Sequence, residues 1–383
     1  MPGLIPFFIV IIAGLFFSHL FNRLHLPWVV ALIVAGIVIG PNGLDIFRPD
    51  NTFELLGNIG LIFLMFIAGL ETKFSSFGKI KKGILPIFIL NSLIPFVVGI
   101  SIGMYFGYDI LTSSLLGIIL TSASIAVIIP SLEAQGKLKT KLGQTIIVTA
   151  ILEDVLSLTL LFVLLHTFAD NPVSIPLPLF LGLLFVFLIA LRHVLPRIRK
   201  RFSFLPIRKR DAFEHELRLV FVILIGTVIL FEIIGLEPII AGFFTGMALS
   251  GSIKNEILRG KLHAISYGIF IPIFFVTIGT KTNLAPLFQD NTTFVFTVVV
   301  VLGALIAKFT SGWLGGRLSG FNNKESKLIG VATIPHLSTA LAVIFTGHAL
   351  GMIDERLFTA MMALTLTTTL IGPFLINRLA PRF

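Results

Sequence analysis

Glu153 and Asp154 stand side by side near the middle of an otherwise apolar stretch, QTIIVTAILEDVLSLTLLFVLL. A carboxylate at bilayer depth costs about 2.5–3.5 kcal/mol on insertion scales, and ionisable residues inside a span are functional by default. The chemistry they offer is reversible binding of a cation or a proton. A protonated carboxyl has lost the charge that attracts a metal ion, so one such group can carry either but not both well. Lys308, alone inside VLGALIAKFTSGWLGG, is the compensating charge. Successive helix residues point about 100° apart. Glu153 can therefore pair with Lys308 while Asp154 faces a cation cavity. The plainer alternative is that these charges merely line a watery crevice.

The elements that position these groups must be membrane spans. Of the 383 residues, 56% are hydrophobic and only 13% charged, whereas a soluble chain carries about 25% charged residues. Cysteine is absent, which excludes disulfides, iron–sulfur clusters and thiolate metal sites. Oxygen ligands alone suit a hard alkali cation, placed at Asp154, better than a transition metal. The Gly-Lys pairs at 78–79, 136–137 and 260–261 lack phosphate-loop spacing, so no nucleotide or other cofactor is expected. Met1-Pro2-Gly3 offers no basic segment of the kind that opens a secretory signal.

Apolar runs of about 20 residues between charged or turn-rich breaks predict an all-α polytopic protein with thirteen transmembrane helices. They lie near 4–21, 27–46, 55–71, 84–107, 110–132, 143–168, 174–195, 217–235, 237–252, 264–280, 293–316, 327–350 and 357–377. On this count 25 of the 29 Lys and Arg fall on loops of one side. The positive-inside rule then puts the N-terminus outside and the C-terminus in the cytoplasm of a cell membrane. The net charge of +10 is thus loop charge, densest in RHVLPRIRKRFSFLPIRKR, and does not call for nucleic acid.

The chain also repeats itself. LIVAGIVIG in span 2 matches PIIAGFFTG in span 9, IFLMFIAGLE in span 3 matches IFFVTIGTK in span 10, and Ser124-Ile-Ala-Val-Ile in span 5 matches Ala340-Leu-Ala-Val-Ile in span 12. Partners seven spans apart face opposite ways, which predicts two inverted six-helix repeats with an ion site at the midplane between them. Spans 5 and 12 read as broken helices. Thr121, Ser122 and Ser124 interrupt the first; Thr333, Pro335, His336, Ser338 and Thr339 interrupt the second. Proline removes a helical hydrogen bond, hydroxyls can satisfy freed backbone groups, and half-helix ends can offer carbonyls to a cation. Close helix packing is the competing explanation for such small polar residues. His336 could sense pH or simply pack and hydrogen-bond.

In the order of these motifs the chain resembles the monovalent cation:proton antiporter-2 family, the NapA-like and Kef-like sodium or potassium/proton exchangers. The segments that carry the likeness are 26–44, 58–71, 120–144, the ILEDVLSL core at 151–158, 237–250, 272–284 and Lys308. The resemblance implies that Asp154 carries the cation and the proton, that Lys308 pairs with Glu153, and that helices 5 and 12 cross at their discontinuities. It further implies a scaffold and dimerisation part (about 4–71 and 217–280), a linker helix (about 174–195) and a moving core (about 84–168 and 293–377). Gly36/Gly40 and Gly242/Gly246 would help a homodimer pack. Two departures stand out. Pro335-His336-Leu337-Ser338 replaces the Pro-Arg-Gly-Glu-like stretch of many relatives, and Glu153 stands where they have Asp, Asn or Gln. The regulatory nucleotide-binding domain common in Kef-type proteins is not expected, because the chain ends just past span 13.

These readings converge on a secondary antiporter, not an enzyme, exchanging Na+ or K+ for H+ across a lipid bilayer. A gated cation channel without proton coupling is the alternative, and a receptor without flux a third.

Overall fold

The computed structural model describes residues 4–23, 28–71, 83–138, 140–168, 182, 214–233, 238–251, 253 and 255–380. Among these, all regular structure is helical. Eight helices are long and apolar enough to cross a membrane, and three shorter ones are as apolar. The predicted linker span 174–195, the break at 235–237 and the densest basic block lie outside the described residues.

In order the helices are α1 (Leu4–Arg23), α2 (Trp28–Ile39), α3 (Asn51–Glu71), α4 (Leu85–Tyr105), α5 (Ile110–Thr121), α6 (Ile125–Ala134) and α7 (Lys141–Phe168). After the undescribed stretch come α8 (His215–Ile233), α9 (Pro238–Leu249), α10 (Glu256–Ile265) and α11 (Ile271–Lys281). After a single helical turn at Pro286–Gln289 the chain closes with α12 (Asn291–Leu318), α13 (Asn323–Ala332), α14 (Ser338–Ala349) and α15 (Glu355–Leu379).

Several boundaries differ from the sequence expectation for local reasons. The segment 27–46 is helical only to Ile39, because Gly40-Pro41-Asn42-Gly43 forces a turn: the residue before a proline is pushed out of helical geometry. The chain then folds back, and Phe47 packs edge-on against Phe53 with centroids 4.9 Å apart. The segment 264–280 begins earlier, at Glu256, and passes through a π-helical turn at Ser266–Phe270. Pro272 explains that turn. It has no N–H to give, and its ring would strike the carbonyl of Gly268 in a regular helix.

The chain divides into two compact units: Met1–Glu54, Lys79–Leu161 and Phe275–Phe383 form one, Leu55–Gly78 and Phe162–Phe274 the other. In the first, α4 packs on α5 and α12, α12 on α13 and α15, and α14 on α5 and α15. Glycines allow these helices to touch by backbone: a Cβ on Gly99 would sit 2.6 Å from the Cα of Gly117, and one on Gly312 would sit 2.6 Å from the Cα of Gly330. In the second, α9 lies on α3, where the carbonyls of Phe66 and Phe243 occupy the Cβ positions of Gly246 and Gly69. Phe63 stacks on Phe270 there at 5.0 Å.

One expectation needs correcting. Gly36 and Gly40 abut Val276 and Thr280 of α11, and Gly242 and Gly246 abut Ile62 and Phe66 of α3. These glycines are spent on packing within the chain and give no support to a dimer contact.

Candidate functional site

Two of the predicted spans are interrupted near their middles. Span 5 is α5 and α6, separated by Ser122–Ser124; span 12 is α13 and α14, separated by 333–337. The two gaps meet. The Ser124 backbone N–H donates to the Pro335 carbonyl at 2.8 Å, and the His336 Nε2 lies 3.2 Å from the Leu120 carbonyl. Each gap therefore supplies partners for backbone groups that the other leaves without helical bonds.

Glu153, Asp154 and Lys308 come together beside this meeting point, all fully buried. Lys308 Nζ donates to Glu153 Oε2 at 2.9 Å, to the Thr121 carbonyl at 2.5 Å and to the Asn91 carbonyl at 3.3 Å. An ammonium has three protons, and each finds an acceptor. The Thr121 carbonyl is the last of half-helix α5, where the helix dipole favours a cation. Glu153 Oε1 accepts from Asn91 Nδ2 at 2.6 Å, and Asn91 Oδ1 accepts from Ser311 Oγ at 2.7 Å. A charge buried this deeply is tolerable only when paired and hydrogen-bonded, and this pair is both.

Asp154 is different. It is equally buried, yet neither carboxylate oxygen has a hydrogen-bond partner of good geometry. The groups that approach it are the Thr339 hydroxyl at the start of α14 and the Ala123 backbone amide in the first gap. Both lie near half-helix N-termini. The hydroxyls of Thr339 and Ser124 are themselves buried without partners. A carboxylate with the Thr339 hydroxyl beside it offers oxygen donors of the kind an alkali cation prefers. Among the described residues no three His, Asp or Glu converge as a transition-metal site.

The other expected site residues are placed variously. The hydroxyls of Thr121, Ser122 and Thr333 turn back onto carbonyls of their own half-helices, so Thr121 serves through its carbonyl only. Pro335 contributes the carbonyl that takes the Ser124 N–H. Ser338 opens α14 and is buried. His336 is buried in the gap, with one ring nitrogen engaged. Asn91 and Ser311 were missed in the sequence reading. Asn91 could have been found by the same logic that found Lys308, since it is an amide in the apolar run LPIFILNSLIPFVVGISIGMY.

Comparison with known proteins places the chain in a family. The family model for the transmembrane sodium/hydrogen exchanger matches residues 7–380. A probable Na+/H+ antiporter 3 of Methanocaldococcus jannaschii is 31% identical over 381 residues, covering 97% of this chain and 95% of its own. A Na+/H+ antiporter of Enterococcus hirae is 28% identical, covering 96% of each. The fold resembles that of the sodium proton antiporter MjNhaP1 from Methanocaldococcus jannaschii, solved at pH 8, with a TM-score of 0.70 at 19% identity, covering 97% of this chain and 96% of that one. The narrower antiporter-2 placement suggested by the motifs is corrected by these matches, which indicate the antiporter-1 class of monovalent cation:proton antiporters.

Proposed function

The chain belongs to the sodium/hydrogen exchanger family, and on that premise we propose that it is a multi-pass secondary antiporter exchanging Na+ or K+ for H+ at Asp154. The observation that carries this reading is the contrast between two neighbouring buried carboxylates. Glu153 is fully committed to Lys308 and Asn91, whereas neither oxygen of Asp154 has a hydrogen-bond partner of good geometry. A bare buried carboxylate must take up a positive charge, and either a proton or an alkali cation satisfies it. Exposing Asp154 to the two sides in turn couples the fluxes without ATP.

In this reading the chain has thirteen spans, an outside N-terminus and two inverted repeats. The glycine contacts support the repeats. Gly36 against Gly279 joins α2 to α11, and Gly246 against the Phe66–Leu70 turn joins α9 to α3; helix for helix these are equivalent pairings with the repeat partners exchanged. The scaffold, linker and core boundaries, and a homodimer, rest on family resemblance alone. Lys308 and Glu153 couple transport to charge. If the pair loosens as a cation binds and Lys308 gives up a proton, exchange is electrogenic. A channel would conduct cations without moving protons, and the relatives are antiporters by name.

The test is proton movement in everted vesicles or proteoliposomes on adding Na+, K+ or Li+. An alkali-driven proton flux is expected. Cation conduction without proton movement overturns the proposal.

A further inference from the structure

Resting on the exchanger reading, we propose that Thr368 and Thr369 of α15 are positioning residues, which hold the gap between α13 and α14 so that Thr339 is presented to Asp154.

The argument starts from the backbone of the gap. Between Ala332 and Ser338 the chain is not helical, and Pro335 has no N–H. The N–H and carbonyl of His336 are therefore buried polar groups without a helical ladder, and such groups must find partners. They find them on α15. The His336 N–H donates to Thr368 Oγ at 3.1 Å, and the Thr369 hydroxyl donates to the His336 carbonyl at 3.4 Å. Thr368 passes its own hydroxyl proton to the Thr365 carbonyl at 3.5 Å, so both its donor and its acceptor are in use. Thr365, Thr368 and Thr369 are all fully buried.

One turn further on, Gly372 completes the cradle. A Cβ there would collide with the Pro335 ring. Threonines in membrane helices ordinarily bond back to the carbonyl four residues earlier. Thr369 does not, and Thr368 back-bonds only at 3.5 Å, to the carbonyl three residues earlier, while its oxygen takes the His336 N–H. Two hydroxyls and a missing side chain on one face of α15 thus fix the peptide on either side of His336. The Ser124 N–H in addition holds the Pro335 carbonyl. Thr339 lies three residues beyond His336, in the first turn of α14, and its hydroxyl approaches Asp154. Any tilt of the gap moves that hydroxyl relative to the carboxylate. α15 is therefore the strut that sets the cation site, although it contributes no atom to it.

Valine keeps the size of threonine and removes the hydroxyl; serine keeps the hydroxyl. In proteoliposomes, Thr368→Val should raise the apparent KM for the driving cation by about fivefold or more, the scale of one lost buried hydrogen bond, while the maximal rate stays within about twofold. Thr368→Ser should match the wild type in both. Hydrogen–deuterium exchange supplies a readout independent of transport: the 333–339 peptide should exchange faster in Thr368→Val than in Thr368→Ser. If Thr368→Val does not yield a monodisperse protein, Thr369→Val takes the same two tests. A valine variant with wild-type KM and wild-type amide exchange overturns the proposal, as does a serine variant as impaired as valine. Absence of cation-driven flux in the wild type would defeat the exchanger reading, while the amide exchange would still decide the role of the threonines.

Discussion

The backbone N–H of Ser124 and the carbonyl of Pro335 are joined by a 2.8 Å hydrogen bond, so the break in one apolar segment is closed by the break in the other. A broken helix in a membrane is tolerated only where its freed backbone groups are satisfied inside the protein. Here the two breaks satisfy each other, and Asp154 stands next to the junction with its oxygens unpaired. The same contact that satisfies the breaks also frames the carboxylate at which cation binding is proposed.

Asp154→Asn keeps the size of the side chain and removes the charge that must be neutralised by proton or metal ion. Cation-driven proton flux should fall to the level of empty liposomes, with the protein still folded and monodisperse. Retention of near-normal flux would show that the carrier lies elsewhere.

Lys308→Gln strands the buried carboxylate of Glu153. Removing one partner of a buried pair costs about 3–5 kcal/mol, so the variant should melt well below the wild type in detergent. Adding Glu153→Gln should recover part of that loss, because two neutral amides can bond to each other. In proteoliposomes with an imposed membrane potential, the wild type should respond to voltage and Lys308→Gln should not. A wild type indifferent to voltage would make exchange electroneutral and leave Asp154 as the carrier.

Asn91→Leu removes the amide between Glu153 and Ser311. Each polar group left unpaired in the core costs about 1–3 kcal/mol. Ser311→Ala should cost less, and the double variant should be less destabilised than the sum, since the three residues share one network. Strict additivity in thermal denaturation would mean that the network does not act as a unit.

Asp290, at the loop before α12, accepts from the backbone and hydroxyls of Thr292 and Thr293. These bonds, Thr292 first, hold its carboxyl well below the usual carboxylate range. A group whose pKa is lowered by folding contributes stability above its unfolded pKa of about 3.9 and loses it as pH falls toward the folded value. Asp290→Ala should therefore lower the melting temperature by a constant amount from pH 8 to about pH 5. The gap should close only below about pH 4. A difference that disappears near neutrality would contradict this.

Phe288, in a short helical turn before α12, and Lys324, in the first turn of α13, are exposed near opposite ends of α12. The chain has no native cysteine, so single cysteines at these positions report topology directly. Phe288→Cys should label from outside with an impermeant reagent, and Lys324→Cys only from the cytoplasmic side. Labelling of both from one side would refute the assigned orientation.

What the sequence determined by itself was the class of molecule and the charged residues at its centre. Hydropathy and the distribution of Lys and Arg are local properties that survive without a fold, and an isolated Glu153-Asp154 or Lys308 in an apolar run is conspicuous because the membrane makes it expensive. The breaks at Ser122–Ser124 and 333–337 were also legible, since proline and clustered hydroxyls act on their own helix. That the two carboxylates meet different surroundings was only a helical-wheel expectation. Packing supplies the difference, by bringing Asn91, Ser311 and Lys308 with its Thr121 carbonyl to one carboxylate and leaving the other without a hydrogen-bond partner. Packing also reassigned the glycines of α2 and α9, which read as sites for a second subunit and are filled by α11 and α3 of the same chain. The threonines of α15 gave no local signal at all, because a hydroxyl on an apolar helix takes its meaning from the backbone opposite, and that backbone is 32 residues away in the chain.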